Sequence, residues 1–161
     1  MQLLSRAHVH RVTVSQVIEA KEAGASGVLG ITCQVSGKGT PVMSAFAGSM
    51  GMDAPVEAVN LIELDFLMQK GVPMVAVACG VQVTLTVPGF ANDIIKGLLP
   101  QLPLDCASVV GVADEAAARH AAEAGASAVL LKQEMLEGVC DDATACKAFI
   151  QNVKYAMSGD E

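Results

Sequence analysis

The sequence predicts an α/β protein built on a parallel sheet, and a repeated motif carries the prediction. Residues 22–26 and 123–127 both read Glu-Ala-Gly-Ala-Ser, and each motif is followed by an apolar run, GVLGI in the first copy and AVLL in the second. A weaker third copy is Gln-Lys-Gly at 69–71, followed by VPMVAVA. Each copy has the pattern of a helix that stops at a glycine and leads into a strand buried on both faces. That pattern is typical of a parallel sheet covered by helices.

Residues 108–136 contain the clearest single unit. A β-branched run is followed by Asp114, which is placed to cap a helix of good helix formers at 115–124. Gly125 is placed to end that helix in the left-handed conformation, and residues 127–131 return as a buried strand. This stretch therefore predicts one complete strand, helix, strand unit.

The remaining elements follow the same alternation. The pattern predicts strands at 2–5, 27–33, 53–59, 73–79 and 106–111, and helices at 14–23, 42–51, 61–70 and 92–99. A short turn or helix is expected at 132–137, and the acidic pair 141–142 is placed to cap a final amphipathic helix. Residues 80–89 are either an extended loop or a small irregular strand. We expect six βα units in a single domain, 1–158, with a frayed tail at 159–161.

Composition excludes several classes of function. The 161 residues have a formal net charge of −7 and no cluster of Lys and Arg, which argues against binding nucleic acid or an anionic membrane. No apolar run is long enough to span a bilayer, and the N-terminus lacks the apolar core of a secretory signal. Five cysteines without a CxxC pair indicate reduced thiols. We therefore expect an intracellular protein of a reducing compartment, the cytoplasm or the plastid stroma, with no membrane insertion.

Neither a metal nor a cofactor is predicted. His8 and His10 straddle one position and could face the same side, but no third ligand follows at a recognisable spacing. The loop SGKGTP at 36–41 lacks the spacing of a phosphate-gripping Walker loop. Cys79 and Cys146 have no base nearby in the sequence that would mark either one as a nucleophile.

Four segments, in order along the chain, resemble the indole-3-glycerol phosphate synthase family of (βα)8 barrels. They are VSQVIEAKEAGASGVLGI, GMDAPVEAVNLIELDFLMQKGVPMVAV, LLPQLPLDCASVVGV and AGASAVLLKQEML. In the family these correspond to a helix and strand ending in GADA-LLI, the VEVHD strand with its helix, the run from PLIP to SESG, and the closing GADAVLVGE-LM. The resemblance runs from the family's third strand to its last helix, and it implies a TIM-barrel type fold of which six of the eight units are present.

Most of the family's catalytic residues are replaced in this chain. The catalytic lysine falls near His8, and the asparagine and arginine of the NNR motif fall on Ala78 and Gly80. The glutamate and second serine of SESG fall on Val109 and Val110. The glutamate of VEVHD is retained as Glu57, which alone cannot be both the general acid and the general base of ring closure. Glu57 is thus the one catalytic candidate, and a buried strand residue paired with a neighbour is the other interpretation of it.

The family's phosphate site is partly kept. Gly111 matches the glycine of SESG, and the amides from Val112 to Glu115 at a helix N-terminus are able to attract an anion. However, Lys132 replaces a glycine of the last strand, and Asp114 with Glu115 would repel a phosphate. We therefore take Gly111, Val112 and Lys132 as the candidate substrate-binding residues, at a possible remnant phosphate or anion site.

Two functions remain open at this point. The first is a degenerate, non-catalytic member of the family that acts as a structural or interaction subunit of a larger assembly. The second is an active synthase, or a related phosphate-binding barrel lyase of tryptophan biosynthesis, whose missing strands come from elsewhere. An incomplete barrel leaves open sheet edges, so protein partners that cover those edges are expected in either case.

Overall fold

The strands lie side by side in the order in which the chain forms them. The computed structural model describes residues 12–33, 39–79, 90–137, 139 and 141–158. Its strands are β1 (Ile31–Thr32), β2 (Val56–Ala58), β3 (Met74–Val77), β4 (Ala107–Val112) and β5 (Ala128–Leu131), and they form one parallel sheet in the order β1-β2-β3-β4-β5. The predicted α/β fold with a parallel sheet is confirmed. The strand predicted at 2–5 lies outside the described residues, and closure into a barrel stays a prediction.

Helices occur at every described position where the sequence predicts one. They are α1 (Val14–Glu22), α2 (Gly39–Ser49), α3 (Leu61–Gln69), α4 (Phe90–Leu98), α5 (Glu115–Glu123), α6 (Gln133–Leu136) and α7 (Ala143–Ser158), with a short 3-10 turn at Leu99–Gln101. Thr13 begins α1 with a capping box, in which its hydroxyl accepts from the Gln16 amide and the Gln16 side chain accepts from the Thr13 amide. Asp142 caps the start of α7 by accepting from the Thr144 amide at 2.8 Å.

Four helices end in one hydrogen-bonded motif centred on a glycine. Gly24, Gly51, Gly71 and Gly125 all have a positive φ, between 66° and 90°. In each case the amide after the glycine donates to the carbonyl five residues earlier, in the pairs Ala25 to Ala20, Met52 to Ala47, Val72 to Leu67 and Ala126 to Ala121. This is the Schellman arrangement, which satisfies carbonyls that the helix itself leaves unpaired. The predicted left-handed position of Gly125 is confirmed.

Several strands are shorter than the segments that predict them, and of the segment 53–59 only Val56–Ala58 forms a strand. The run 27–33 is paired as a strand only at Ile31–Thr32, because Gly30 turns the backbone with a φ of 92°. Gly27, at the other end of the run, makes an isolated parallel bridge to Asp53. Strand β3 ends at Val77 because Ala78 has a φ of 54°, outside the range of an extended strand.

The chain forms two compact units. The first consists of residues 1–76 and 103–107, and the second of residues 77–102 and 108–161. Fully buried side chains described in the first unit are Val17, Ala47, Val56, Ala58, Leu64, Leu67 and Val75. In the second unit α5 packs on α7, where the small side chains of Ala118, Ala121 and Ala156 allow the two helices to approach closely. None of the helices in the described parts of the chain has the length and apolar character needed to cross a bilayer.

Candidate functional site

Glu57, the retained family carboxylate, is buried in the first unit. It occupies the middle of β2 opposite Thr32, and its carbonyl accepts from the Cys33 amide at 2.8 Å. Only 7% of the residue is exposed. Burying a carboxylate is costly unless it is hydrogen-bonded, and among the described residues no buried side-chain nitrogen or oxygen lacks a partner. These observations favour the interpretation of Glu57 as a satisfied strand residue.

Cys33, next to Glu57 in this region, is held as a neutral thiol. Its Sγ lies 3.9 Å from the carbonyl oxygen of Glu63, whose carboxylate accepts from the Val59 amide at 2.9 Å. Burial and, secondly, the negative charge of Glu63 raise the pKa of Cys33 to about 11. Because the thiolate is the nucleophilic form, Cys33 is inert at neutral pH.

The three candidate phosphate residues meet where β4 and β5 end, in the second unit. Gly111 and Val112 are the last two residues of β4 and pair with Leu130 and Leu131. Lys132 directly follows β5, and its amide donates to the Val112 carbonyl at 3.0 Å. Pairing of these two strands therefore brings Gly111, Val112 and Lys132 together. Val112 itself is fully buried, so its side chain faces protein.

Gly111 lies directly under the backbone of two residues that follow β3. A Cβ at position 111 would lie 2.8 Å from the Cα of Cys79 and 2.9 Å from the carbonyl carbon of Ala78, and would clash with the Ala78 oxygen. The left-handed conformation of Ala78 accompanies this approach, and the Cys79 thiol lies 3.4 Å from the carbonyl of Val109. Close backbone packing is thus a sufficient reason for a glycine at this position.

The N-terminus of α5 is already occupied by a carboxylate of the chain. Asp114 Oδ1 accepts from the Ala117 amide at 2.7 Å, as the sequence predicts. Glu115 adds a second carboxylate in the first turn. The cap occupies one amide of the first turn, and the two carboxylates oppose the positive end of the helix dipole, which is the feature that would otherwise attract an anion.

Sequence reasoning missed a pair of serines at the other end of the same two strands. The Ser108 amide donates to the Ser127 hydroxyl, and the Ser127 amide donates to the Ser108 hydroxyl, both at 3.0 Å. The two hydroxyls thus extend the β4 and β5 pairing by one step before it begins at Val109 and Ala128. Ser127 is the last residue of the repeated Glu-Ala-Gly-Ala-Ser motif, and that position in the motif was the available signal.

Other candidate residues do not form a site in the described chain. Val109 lies early in β4, and Ala78 follows β3. His8, His10, Gly80 and Cys140 lie outside the described residues. Cys33, Cys79, Cys106 and Cys146 are reduced thiols, and no three His, Cys, Asp or Glu side chains within the described ranges are grouped to hold a metal.

Comparisons with known proteins bear on the fold. No protein-family model matches the sequence, and no curated protein is significantly similar to it in sequence. The structure is similar to that of a cube-shaped, highly porous protein cage designed by fusing symmetric oligomeric domains, with a TM-score of 0.64 and 16% sequence identity. The match covers 92% of this chain and 52% of the cage chain, so the chain spans about half the length of the protein it matches. At this identity the likeness shows a shared fold and does not show a shared function.

Proposed function

We propose that the chain is a non-catalytic relative of the indole-3-glycerol phosphate synthases that acts as an interaction subunit of a larger assembly. The observation that carries the proposal is the Asp114 cap. In a phosphate-binding barrel, the amides at this helix N-terminus hold the anion of the substrate. Here one of those amides, that of Ala117, already donates to the Asp114 carboxylate at 2.7 Å.

Electrostatics at the same position support a loss of substrate binding. A phosphate approaching α5 would meet the carboxylates of Asp114 and Glu115 within the first turn. Two like charges at a few ångströms oppose binding more strongly than one helix dipole favours it, since the dipole amounts to about half an elementary charge. Lys132, the basic residue that directly follows β5, is half-buried with an interaction of its own.

The state of the acid and base groups also supports the proposal. Ring closure with loss of carbon dioxide and water requires a general acid and a general base around an oriented substrate. Glu57 is the single family carboxylate that remains, and it is buried within a strand. The other family positions in the described residues carry alanine and valine, which have no proton to transfer.

An interaction role is supported by the exposure of β5. Its residues are exposed or half-buried along the whole strand, whereas β2 is buried at all three of its positions. Among the described strands β5 also ends the strand order, so its outer backbone groups are available to another strand. The designed cage with a similar fold is, by its description, made from symmetric oligomeric domains. We take the adjacent, in-order strands as support for a barrel-type architecture completed by partners.

A turnover assay with the family's substrate tests the proposal. We expect no indole-3-glycerol phosphate from the chain under conditions in which an active family enzyme turns over. Formation of this product, abolished by Glu57→Gln, would establish the alternative of a working synthase. Glu57→Gln keeps the size and shape of the side chain but removes its charge and its ability to exchange a proton, so a loss of turnover would point to the carboxylate.

Anion binding gives a second test, which does not depend on turnover. A ligand that prefers the folded state raises the melting temperature by mass action. We expect millimolar phosphate or sulfate to leave the melting temperature unchanged, beyond the shift that matched ionic strength from chloride produces. A saturable rise in the unmodified chain would show that the helix N-terminus still binds anions and would contradict the proposal.

A further inference from the structure

A fully exposed leucine is held at the tip of a rigid turn in the first unit. The Cys106 amide donates to the Pro103 carbonyl at 3.0 Å, which closes a four-residue turn with Leu104 and Asp105 at its tip. The next amide, of Ala107, donates to the Pro73 carbonyl at 3.0 Å and anchors the turn. Leu104 is 108% exposed, the full exposure of an isolated leucine. The turn therefore holds an apolar residue out in solvent.

A depression of about 420 Å³ lies beside this turn, in the same unit. Most of its wall is apolar or glycine, formed by Gly48, Gly51, Met52, Ala54, Pro73 and Met74. The hydroxyl of Ser44, also in the wall, is already donated to the Ala54 carbonyl at 3.1 Å. Since Pro73 both lines the depression and anchors the turn, the protruding leucine and the cavity are neighbours.

Charges are arranged to match the two features. The ammonium group of Lys21 lies beside Gly51, 3.9 Å from where a Cβ of that residue would be. Asp105, next to Leu104 on the turn, is exposed. The rim also contains one carboxylate, that of Asp53. Because Gly51 lines the depression, Lys21 places a positive charge at its rim, and Asp105 places a negative charge beside the protruding leucine.

We propose that a second copy of this chain fills the depression, with Leu104 of each copy inserted into the cavity of the other. A surface that has a protrusion beside a cavity is complementary to a second copy of itself. A two-fold axis between the two features places the protrusion of each copy in the cavity of the other. Each Asp105 then faces Lys21 of the other copy. An apolar anchor in a pocket is the usual centre of an interface, and the two hydrogen bonds of the turn fix its backbone before binding.

This pairing deepens the proposed function, because it names a partner for the interaction subunit. It does not require the chain to be catalytically inert. Turnover of the family's substrate by a dimer would overturn the proposed function and leave the pairing intact. A monomer without turnover would overturn the pairing and leave the proposed loss of catalysis intact.

Sedimentation of the full chain over a range of concentrations tests the pairing. We expect dissociation to be at least about tenfold easier in Leu104→Ser than in the unmodified chain. Gly48→Leu should have a similar effect by filling the depression, and a Cβ at position 48 meets no other atom within 4 Å, so the fold tolerates it. The control is Ile62→Ser, which removes another side chain that is 71% exposed and should leave the dimer unchanged.

Charge exchange gives the sharper test. Asp105→Lys and Lys21→Glu should each weaken the homodimer, since each places like charges opposite one another. A mixture of the two variants restores both attractive pairs in the heterodimer, so association should return on mixing. Melting temperatures by circular dichroism confirm that each variant is folded.

Three results would overturn the pairing. The first is a chain that stays monomeric at every concentration. The second is a dimer that Leu104→Ser does not weaken. The third is a pair of charge variants that fail to associate on mixing.

Discussion

Position 111 requires a glycine because another segment of backbone passes directly over it. Ala78 and Cys79 lie so close above it that no side chain fits, and Ala78 adopts a left-handed φ of 54° there. A residue other than glycine seldom adopts this conformation without support from its surroundings. The contact between Gly111 and Ala78 is therefore a fixed point of the second unit.

Replacing Gly111 with alanine should destabilise the protein strongly. The added methyl group has to displace backbone, which costs about 2 kcal/mol or more in free energy of unfolding. Gly97→Ala is the matched control, because a Cβ at position 97 in α4 meets no atom within 4 Å. It should be neutral or stabilise by about 0.5–1 kcal/mol through helix propensity. Urea unfolding measures both, and equal effects of the two substitutions would contradict the close packing of Gly111.

Cys33 gives a pH dependence whose sign follows from its raised pKa. An ordinary thiol has a pKa of 9.0, and the folded chain raises that of Cys33 to about 11. Its contribution to stability is thus fully present below pH 9 and is lost as the pH rises from 9 to about 11, where the unfolded chain ionises first. We expect unfolding free energies to fall over this window, and to fall less steeply in Cys33→Ala. Equal slopes in the two chains would show that the thiol is not protected.

At the scale of elements, local signals predicted the helices well and the strands less well. Thr13, Asp114 and Gly125 act within a few residues of the helix ends that they define, so their effects can be read directly from the sequence. Strand ends depend on backbone turns such as those at Gly30 and Ala78. Apolar composition alone does not reveal these turns. For this reason the run 27–33 predicted a longer strand than the pairing shows.

The serine pair between β4 and β5 should couple the two strands measurably. Ser108→Ala removes the acceptor of the Ser127 amide, and Ser127→Ala removes the acceptor of the Ser108 amide. Each change should cost about 1–3 kcal/mol, and the double variant less than the sum, because the hydroxyls act together. Ser158→Ala at the exposed end of α7 is the control and should change stability by less than about 0.5 kcal/mol. Additive costs in a double-mutant cycle would show that the two serines act independently.

For the whole molecule, the sequence predicted the α/β class and the separate positions of the site residues. The sequence predicted the cap at the N-terminus of α5, but it did not predict the backbone that covers Gly111. Asp114 was predicted as a cap from its local sequence, but Ala78 approaches Gly111 from more than thirty residues away. A resemblance of motifs carries residue identities and no information on such contacts. Function therefore has to be argued from the folded site.

No strand of the described residues pairs with the outer side of β5, so we expect this side to accept a partner strand, and proline substitutions test which amides face it. The Lys132 amide faces β4, so by strand alternation the Leu130 amide faces β4 and the Val129 amide faces outward. Val129→Pro should therefore leave folding nearly intact while reducing assemblies larger than a dimer. Leu130→Pro should break the sheet itself. Sedimentation and thermal unfolding of the two variants test this assignment. Equal losses of stability would contradict the outward orientation of the Val129 amide.

The glycine motifs that end four of the helices should affect the partly unfolded states in which the strands have separated. Each motif is closed by a hydrogen bond spanning only six residues, so it needs no contact with the sheet. Amides at these helix ends should therefore retain some protection from hydrogen exchange in open states that expose the strands. A chain that keeps its helix boundaries while the sheet opens returns each strand to its own register. We therefore expect the retained helix ends to limit the exchange of strands between molecules.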